Sequence, residues 1–468
     1  MTQSLRPAAW TLMVFMNGKN NLEPFAIENF YQMASAPGSP RVNVLAELGR
    51  RGQTNAKYHG YGKWSGTYIF KISHGIRALP QNALRLDGVP QPNAVDMGDA
   101  SSVSSFVKFA MVHFPAQHYM LIMWDHGQGW RLMRYELQSA ASADKVETIA
   151  QPLSSYMAKG NTILPISGSV AAGTSISEKS VKTLAIATAP PLTNSYFAVA
   201  PPVKSVSEDD STQNHIYNRQ LEDALKETLG KRKLDIIGFD ACLMAMVEVD
   251  YAFRDVASYA TASEESEPGG GWNYETFIGY LDKHPNIGSR ALASEAVTAY
   301  KKAYSGNAGD STTLSVFDLS AAEQLANSID KLSVALRRDI PGIASQVSAI
   351  RAQLNTYGDD DSSFPYIDLK EFTDELGSSS SSLKIKEAAA AVSTAVSKAV
   401  IAHYASPDEI PNFGSYGVAI YFPDSLDLFL AEPAYEPDNV ESAPVEFVRS
   451  HDWSRFLRTY LEYEAARH

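Results

Sequence analysis

Cysteine is almost missing from this sequence: Cys242 is the sole thiol among 468 residues. That excludes an internal disulfide and any metal site built from several cysteines, though it does not fix the compartment. Basic charge is in short supply too, with 40 Lys and Arg against 53 Asp and Glu, a net charge of −13. Such a surface repels nucleic acid and attracts basic ligands only weakly at physiological salt, so a nucleic-acid partner is disfavoured. No apolar run is long enough for a membrane span, and the longest uncharged stretch, 183–203, carries four prolines. The opening MTQSLRPAAW lacks a basic segment followed by an apolar core, so no signal peptide is expected and the localisation stays open. No repeat of fixed period is visible, which argues against a solenoid or propeller.

What remains is an ordinary globular composition, 44% hydrophobic and 20% charged, long enough for two or three domains. AAWTLMVFMNG (8–18) reads as a buried strand closed by Asn-Gly, followed by a helical pattern and a second strand at 42–49. Strand, helix, strand at this spacing predicts a parallel βαβ unit and an α/β fold with a mostly parallel sheet flanked by helices. Residues 57–73 alternate and read as a hairpin. DASSVSSFVKFAMVHFP (99–115) predicts a helix, and 118–130 a strand ending in Asp-His-Gly. Residues 131–215 are rich in Ala, Ser, Thr and Pro, and read as a long insertion or surface loop.

Periodic structure resumes with a helix at 217–230 that stops at Gly230, then a strand at 234–239, an apparent helix directly after Cys242, and a strand within 256–266. Further on, 312–319 reads as a strand, Ser320 and Glu323 as a capping box, and GSSSSS (377–382) as an exposed linker. A strand at 416–423 and an amphipathic helix at 452–465 close the chain. The expected division is a catalytic domain at 8–305, interrupted by 131–215, and a smaller C-terminal α/β region at 310–468.

Two strands end in chemically loaded tips, MWDHGQG and GFDACLM. In an open α/β sheet, functional groups gather at the carboxyl ends of strands. If these strands are neighbours, His126 and Cys242 face one crevice. Taken alone, a single cysteine in apolar surroundings is usually a small buried residue, and a histidine at a strand end is usually structural. The coincidence of the two tips, each beside an aspartate, brings a thiol-hydrolase reading level with those bland ones. A nucleophilic thiol needs a base and backbone N–H donors for an oxyanion. Gly127 and Cys242 are the candidate donors, and a helix starting at Cys242 would lower the thiol pKa. Asp125 precedes His126 on a strand, so its side chain should face the other way. His113 and His118 read as surface residues.

HYMLIMWDHGQGW and DIIGFDAC resemble the His-Gly and Asp-Ala-Cys motifs of the clostripain family of cysteine peptidases, which shares the caspase-like fold with caspases, gingipains, legumains and separases. WTLMVFMNGKNNLE, WSGTY, VDMGDASS and SEESEPGGGWNYE resemble the family in the same order. The likeness covers roughly 8–282 apart from 131–215, and is looser beyond.

The resemblance implies a nucleophile at Cys242, a general acid/base at His126, and cleavage of peptides after Arg or Lys. It puts Asp240 in the pocket for the basic side chain, with a second acid among Glu264, Glu265 and Glu267 left open. A helix N-cap is the alternative role for Asp240. No cofactor is required for the chemistry. Calcium stays open at YGDDDSSFPYID (357–368), which lacks the D-x-[DN]-x-[DN]-G pattern of a calcium loop.

Cys242 lies 116 residues after His126, against about 50 in caspases. The excess falls in the insertion, where Lys159, Lys179, Lys182 and Lys204 are candidate points of self-cleavage. Two rivals stand: a catalytically silent relative that binds basic peptides or a partner protein in the same crevice, and a thiol hydrolase of non-basic substrates.

Overall fold

β1 (Ala8–Gly18) is buried along both faces, which places it inside a sheet covered on both sides. The computed structural model describes residues 7–52, 62–130, 206–305, 311–358, 365–406, 414–437 and 445–467. α1 (Glu23–Ser35) carries the chain to β2 (Val42–Arg50), parallel to β1 with Trp10 opposite Val42. β3 (Gly66–Lys71) then pairs antiparallel with β2. The hairpin expected within 57–73 is therefore corrected among the described residues: the alternating segment supplies one strand, and its partner is β2. α2 (Ala100–His113) is capped by Asp99, whose side chain accepts from the Ser101 N–H, and leads into β4 (Ala116–Trp124), parallel to β1 on its other side.

β5 (Val206–Asp209) and β6 (Asn214–Ile216) form a small hairpin, so regular structure begins inside what reads in sequence as the end of the insertion. The reason is tertiary: buried Lys19 pairs with Asp209 at 3.1 Å, and Asn17 donates to the Ser207 hydroxyl at 2.9 Å. The rest of the insertion, including Lys159, Lys179, Lys182 and Lys204, lies outside the described residues. α3 (Asn218–Leu229) buries Leu221, Leu225 and Leu229 and ends at Gly230, with φ +61°. β7 (Leu234–Asp240), α4 (Val247–Phe253) and β8 (Ala257–Ala262) follow, with β7 parallel to both β4 and β8.

α5 (Tyr274–Lys283) and α6 (Ser289–Tyr304) precede β9 (Thr313–Asp318), which pairs antiparallel with β8. α7 (Ala322–Arg338) has no capping box at Ser320 and Glu323: the Ser320 N–H and hydroxyl both bond to Asp318, which caps the preceding turn. Next come α8 (Ile340–Arg351), β10 (Tyr366–Asp368) and α9 (Leu369–Ser379). The Gly-Ser run at 377–382 is exposed at Ser378, Ser379 and Ser381 but is not a linker, since α9 extends through Ser379 and Ser380 is buried. α10 (Leu383–Ala399) leads to β11 (Val400–Ala405), antiparallel to β9, and β12 (Ala419–Tyr421) pairs with β10 in a separate ribbon. α11 (Leu426–Leu430), α12 (Glu446–Ser450) and α13 (Trp453–Ala465) complete the chain, the last burying Trp453, Phe456, Leu457, Tyr460 and Leu461.

The main sheet runs β11-β9-β8-β7-β4-β1-β2-β3, a parallel centre with antiparallel edges. From β1 the chain steps outward to β2, whereas β4, β7 and β8 step the opposite way. Right-handed crossovers in opposite directions put helices on opposite faces and open a crevice where the order reverses, between β1 and β4. The candidate residues read from sequence, His126, Gly127, Asp240 and Cys242, lie at the carboxyl ends of β4 and β7, beside that crevice.

Candidate functional site

β4 and β7 are neighbours in register, with Trp124 opposite Asp240. Each strand continues two residues further, one to His126 and the other to Cys242, so the two tips end side by side. The Asp125 N–H ties them by donating to the Asp240 carbonyl at 3.3 Å. Gly127 then lies against the cysteine backbone. A Cβ there would stand 2.3 Å from the Cys242 carbonyl oxygen and 2.9 Å from the Ala241 Cβ, so only glycine fits. On its other side Gly127 bridges Val206, and the neighbouring Ser207 N–H donates to the His126 carbonyl at 3.4 Å.

His126 is 9% exposed, and its Nε2 lies 2.8 Å from the Oδ1 of Asn21, in the loop after β1. An amide oxygen only accepts, so Nε2 carries the hydrogen and Nδ1 is the unprotonated nitrogen of the neutral ring. Asp125 takes no part in this: it accepts from the Asn20 amide at 2.5 Å and the Glu208 N–H at 2.6 Å, holding the β5 hairpin against the β1 loop.

Cys242 does not start a helix. α4 begins five residues later, and the intervening turn places Leu243 at φ +64°, a conformation no α-helix contains. The turn is held instead by the loop after β8, with Leu243 N–H donating to the Glu265 carbonyl at 3.2 Å and Ala245 N–H to the Ser263 carbonyl at 2.8 Å. The expected helix-dipole depression of the thiol pKa is corrected accordingly. Burial pushes the Cys242 thiol up to about 12, and the carboxyls of Glu267, Glu265 and Asp240 add to the rise. The Glu267 N–H, which donates to Sγ at 3.2 Å, opposes it. The resting thiol therefore keeps its proton.

Asp240 is 5% exposed and is not an N-cap, because no helix starts near it. Its Oδ2 accepts from the Tyr274 hydroxyl at 2.6 Å and the Trp272 N–H at 3.3 Å. Gly271, at φ +56°, leaves room for this carboxyl: a Cβ would stand 2.7 Å from Oδ2. Of the three glutamates left open by sequence, Glu267 is the one that meets Asp240, and their carboxyls lie close enough to hydrogen-bond. Glu264 turns away to accept from the Gly417 N–H at 2.9 Å and the Tyr357 hydroxyl at 3.2 Å, and Glu265 accepts from the Gly358 N–H at 2.8 Å. Burial raises both Asp240 and Glu267, and the neighbouring Asp240 carboxyl adds to the rise of Glu267. Among the described residues no group of three or more His, Cys, Asp or Glu could hold a metal ion. The aspartates at 359–361 lie outside them.

Sequence reasoning missed Asn21 and Tyr274. Asn21 sits in a quoted motif, but its reach to His126 depends on β1 neighbouring β4, a strand order that no local pattern records.

A model of the clostripain family matches residues 14–150 and 195–461. Clostripain from Hathewaya histolytica is 23% identical over 466 residues, covering 88% of this chain and 74% of that protein. An inactive zymogen C11 protease from Parabacteroides distasonis superposes with a TM-score of 0.56 at 17% identity, over 97% of this chain and 99% of that one. A secreted C11 cysteine protease from Bacteroides thetaiotaomicron, solved with an irreversible peptide inhibitor, gives 0.57 at 17% identity, over 95% and 99%. At such identities the two structures establish a shared fold.

Proposed function

This chain belongs to the clostripain family of cysteine peptidases, and from that premise we propose that it is an endopeptidase cutting after arginine or lysine through a Cys242–His126 dyad. The observation that supports the reading is the register of the two tips: Cys242 and His126 stand two residues past paired positions on adjacent strands, and the carboxyls of Asp240 and Glu267 lie near enough to the thiol to raise its pKa.

Because the thiol is protonated at rest, the attack couples proton transfer with bond formation. His126 Nδ1 takes the Sγ proton as sulfur adds to the carbonyl carbon, and the N–H groups of Gly127 and Cys242 hold the oxyanion. The imidazolium then gives its proton to the leaving amine. Water, deprotonated by His126, releases the acid from the thioester and restores the thiol. Asn21 keeps the imidazole in the tautomer this cycle needs. A guanidinium or ammonium entering a buried pocket needs a carboxylate to meet it, and Asp240 supplies one.

The protonated, buried thiol also favours a second reading, a silent relative that binds basic peptides in the same crevice. Hydrolysis of two fluorogenic peptides, one ending in Arg and one in Asp, by wild type, Cys242→Ala and Asp240→Asn separates the readings. The peptidase cleaves the Arg peptide alone, loses activity with Cys242→Ala and loses Arg preference with Asp240→Asn. Binding of the Arg peptide without cleavage identifies the silent relative. Cleavage that keeps its selectivity in Asp240→Asn identifies a hydrolase of non-basic substrates.

A further inference from the structure

The peptide between His126 and Gly127 carries the N–H that the mechanism gives to the oxyanion, and its orientation is fixed from outside the dyad. The His126 carbonyl accepts from the Ser207 N–H at 3.4 Å, and Gly127 bridges Val206 in an antiparallel pair. In a planar trans peptide the carbonyl and the N–H point in opposite directions, so the Gly127 N–H faces away from Ser207. The side it faces is that of the cysteine. Backbone groups alternate along an extended chain, and two residues earlier the Asp125 N–H donates to the Asp240 carbonyl. Ser207 is itself tightly held. It is 3% exposed, and its hydroxyl donates to the Met97 carbonyl at 2.8 Å and accepts from the Asn17 amide at 2.9 Å. Its φ is +70°, a region that a serine adopts only where its surroundings impose it. The residues after it are pinned as well: the Glu208 N–H donates to Asp125 at 2.6 Å, and the Met97 N–H to Asp209 at 3.0 Å.

We propose that Ser207 is a positioning residue for the oxyanion hole: its left-handed backbone, pinned by the two hydroxyl bonds, holds the His126 carbonyl and so turns the Gly127 N–H toward the oxygen of the bond under attack. This rests on the reading of a peptidase in which Gly127 is an oxyanion donor. The close approach to Cys242 demands glycine at 127, and glycine is the residue least able to resist rotation of its own peptide. The restraint therefore has to come from a neighbour, and the hairpin that begins at Val206 supplies it. A donor that rotates away is lost where charge develops on the oxygen, in the transition state, and not where the substrate binds. The loss then falls on kcat and leaves KM alone.

Ser207→Ala removes both hydroxyl bonds and fits a φ of +70° poorly. Ser207→Gly removes the same bonds but tolerates that backbone, and it carries the test if the alanine variant does not fold. Three readouts separate donor from nucleophile: kcat and KM on an arginyl peptide, inhibition by an arginyl aldehyde, and alkylation of Cys242 by iodoacetamide. The aldehyde adds the thiol across its C=O bond and places an oxygen in the hole, whereas alkylation forms no oxyanion. The expected kcat falls at least ~10-fold in Ser207→Ala and at least ~3-fold in Ser207→Gly, against roughly 10²–10³-fold for a donor lost outright. KM stays unchanged, affinity for the aldehyde falls with kcat, and the alkylation rate holds at every pH. A Ser207 that serves stability alone would lower the melting temperature and leave kcat per active site and aldehyde affinity unmoved, which overturns the inference. A fall in alkylation matching that in kcat also overturns it, because the effect would then lie on the thiol or its base, and so does a change confined to KM. A wild type that neither cleaves the arginyl peptide nor binds the aldehyde overturns the peptidase reading and the inference with it.

Discussion

Gly127→Ala is the sharpest perturbation of the site, because its size follows from one contact. A Cβ at 127 meets the Cys242 carbonyl oxygen at 2.3 Å, whereas ordinary contact begins near 3.4 Å. The oxygen belongs to backbone and a Cβ is fixed rigidly to its own, so no side chain can swing aside. Relief requires the His126–Gly127 segment and the cysteine turn to part by about 1 Å. Misplacement of catalytic groups on that scale costs about 10²-fold in rate, and the overpacking itself costs roughly 1–3 kcal/mol of stability. The assay is kcat on an arginyl peptide together with the melting temperature, which tells a displaced site from an unfolded one. Gly288→Ala is the control, since that glycine has open space around it and no left-handed φ. A folded Gly127→Ala protein with kcat within twofold of wild type would refute the reasoning.

Asn21→Ala removes the acceptor that fixes the His126 tautomer. One hydrogen bond of about 1 kcal/mol corresponds to roughly a five- to tenfold fall in kcat with KM unchanged, and a change confined to KM would contradict the assigned role. The Cys242 thiol, with its pKa near 12, should react with iodoacetamide at pH 8 at least ~100-fold more slowly than a free thiol; an equal rate would mean that it rests as a thiolate. Glu47, buried on β2 near Lys19, has its pKa raised by burial to about 8. The folded state there holds a proton that the unfolded chain releases above about pH 4.3. Stability is therefore lost as pH climbs from about 4.5 to 8, at up to ~1.4 kcal/mol per unit. Thermal melts across that range should slope less steeply for Glu47→Gln, and parallel slopes would contradict it. Self-cleavage after lysine or arginine should lower the intact mass of wild type on incubation but not that of Cys242→Ala, and an unchanged wild-type mass counts against it.

Much of the scaffold was legible because its signals are local. The apolar run of β1, the leucine stripe of α3 with Gly230 behind it, and the inward face of α13 each lie within one window of sequence. That the strand tips carrying His126 and Cys242 adjoin was legible for a similar reason, since both follow apolar strands that pair side by side. The misread features depend on partners distant in sequence. β3 finds β2 rather than its own flank, and Asp318 takes the serine that a capping box would use. The apolar stretch after Cys242 has helical composition, but the loop at 263–267 claims its N–H groups and holds Leu243 left-handed, so the helix waits until Val247. The choice of Glu267 over its two neighbours likewise turned on where Gly358 and Gly417 fall, residues 90 and more positions away.

The central claim is that Cys242 is a nucleophile served by His126 in a pocket selective for basic side chains. Labelling with an arginyl chloromethyl ketone, read by intact mass and peptide mapping, tests it most directly. The account predicts one adduct per chain on Cys242, formed far more slowly in His126→Ala and in Asp240→Asn. An adduct on another residue, or labelling of Cys242 at the same rate in His126→Ala, would contradict it.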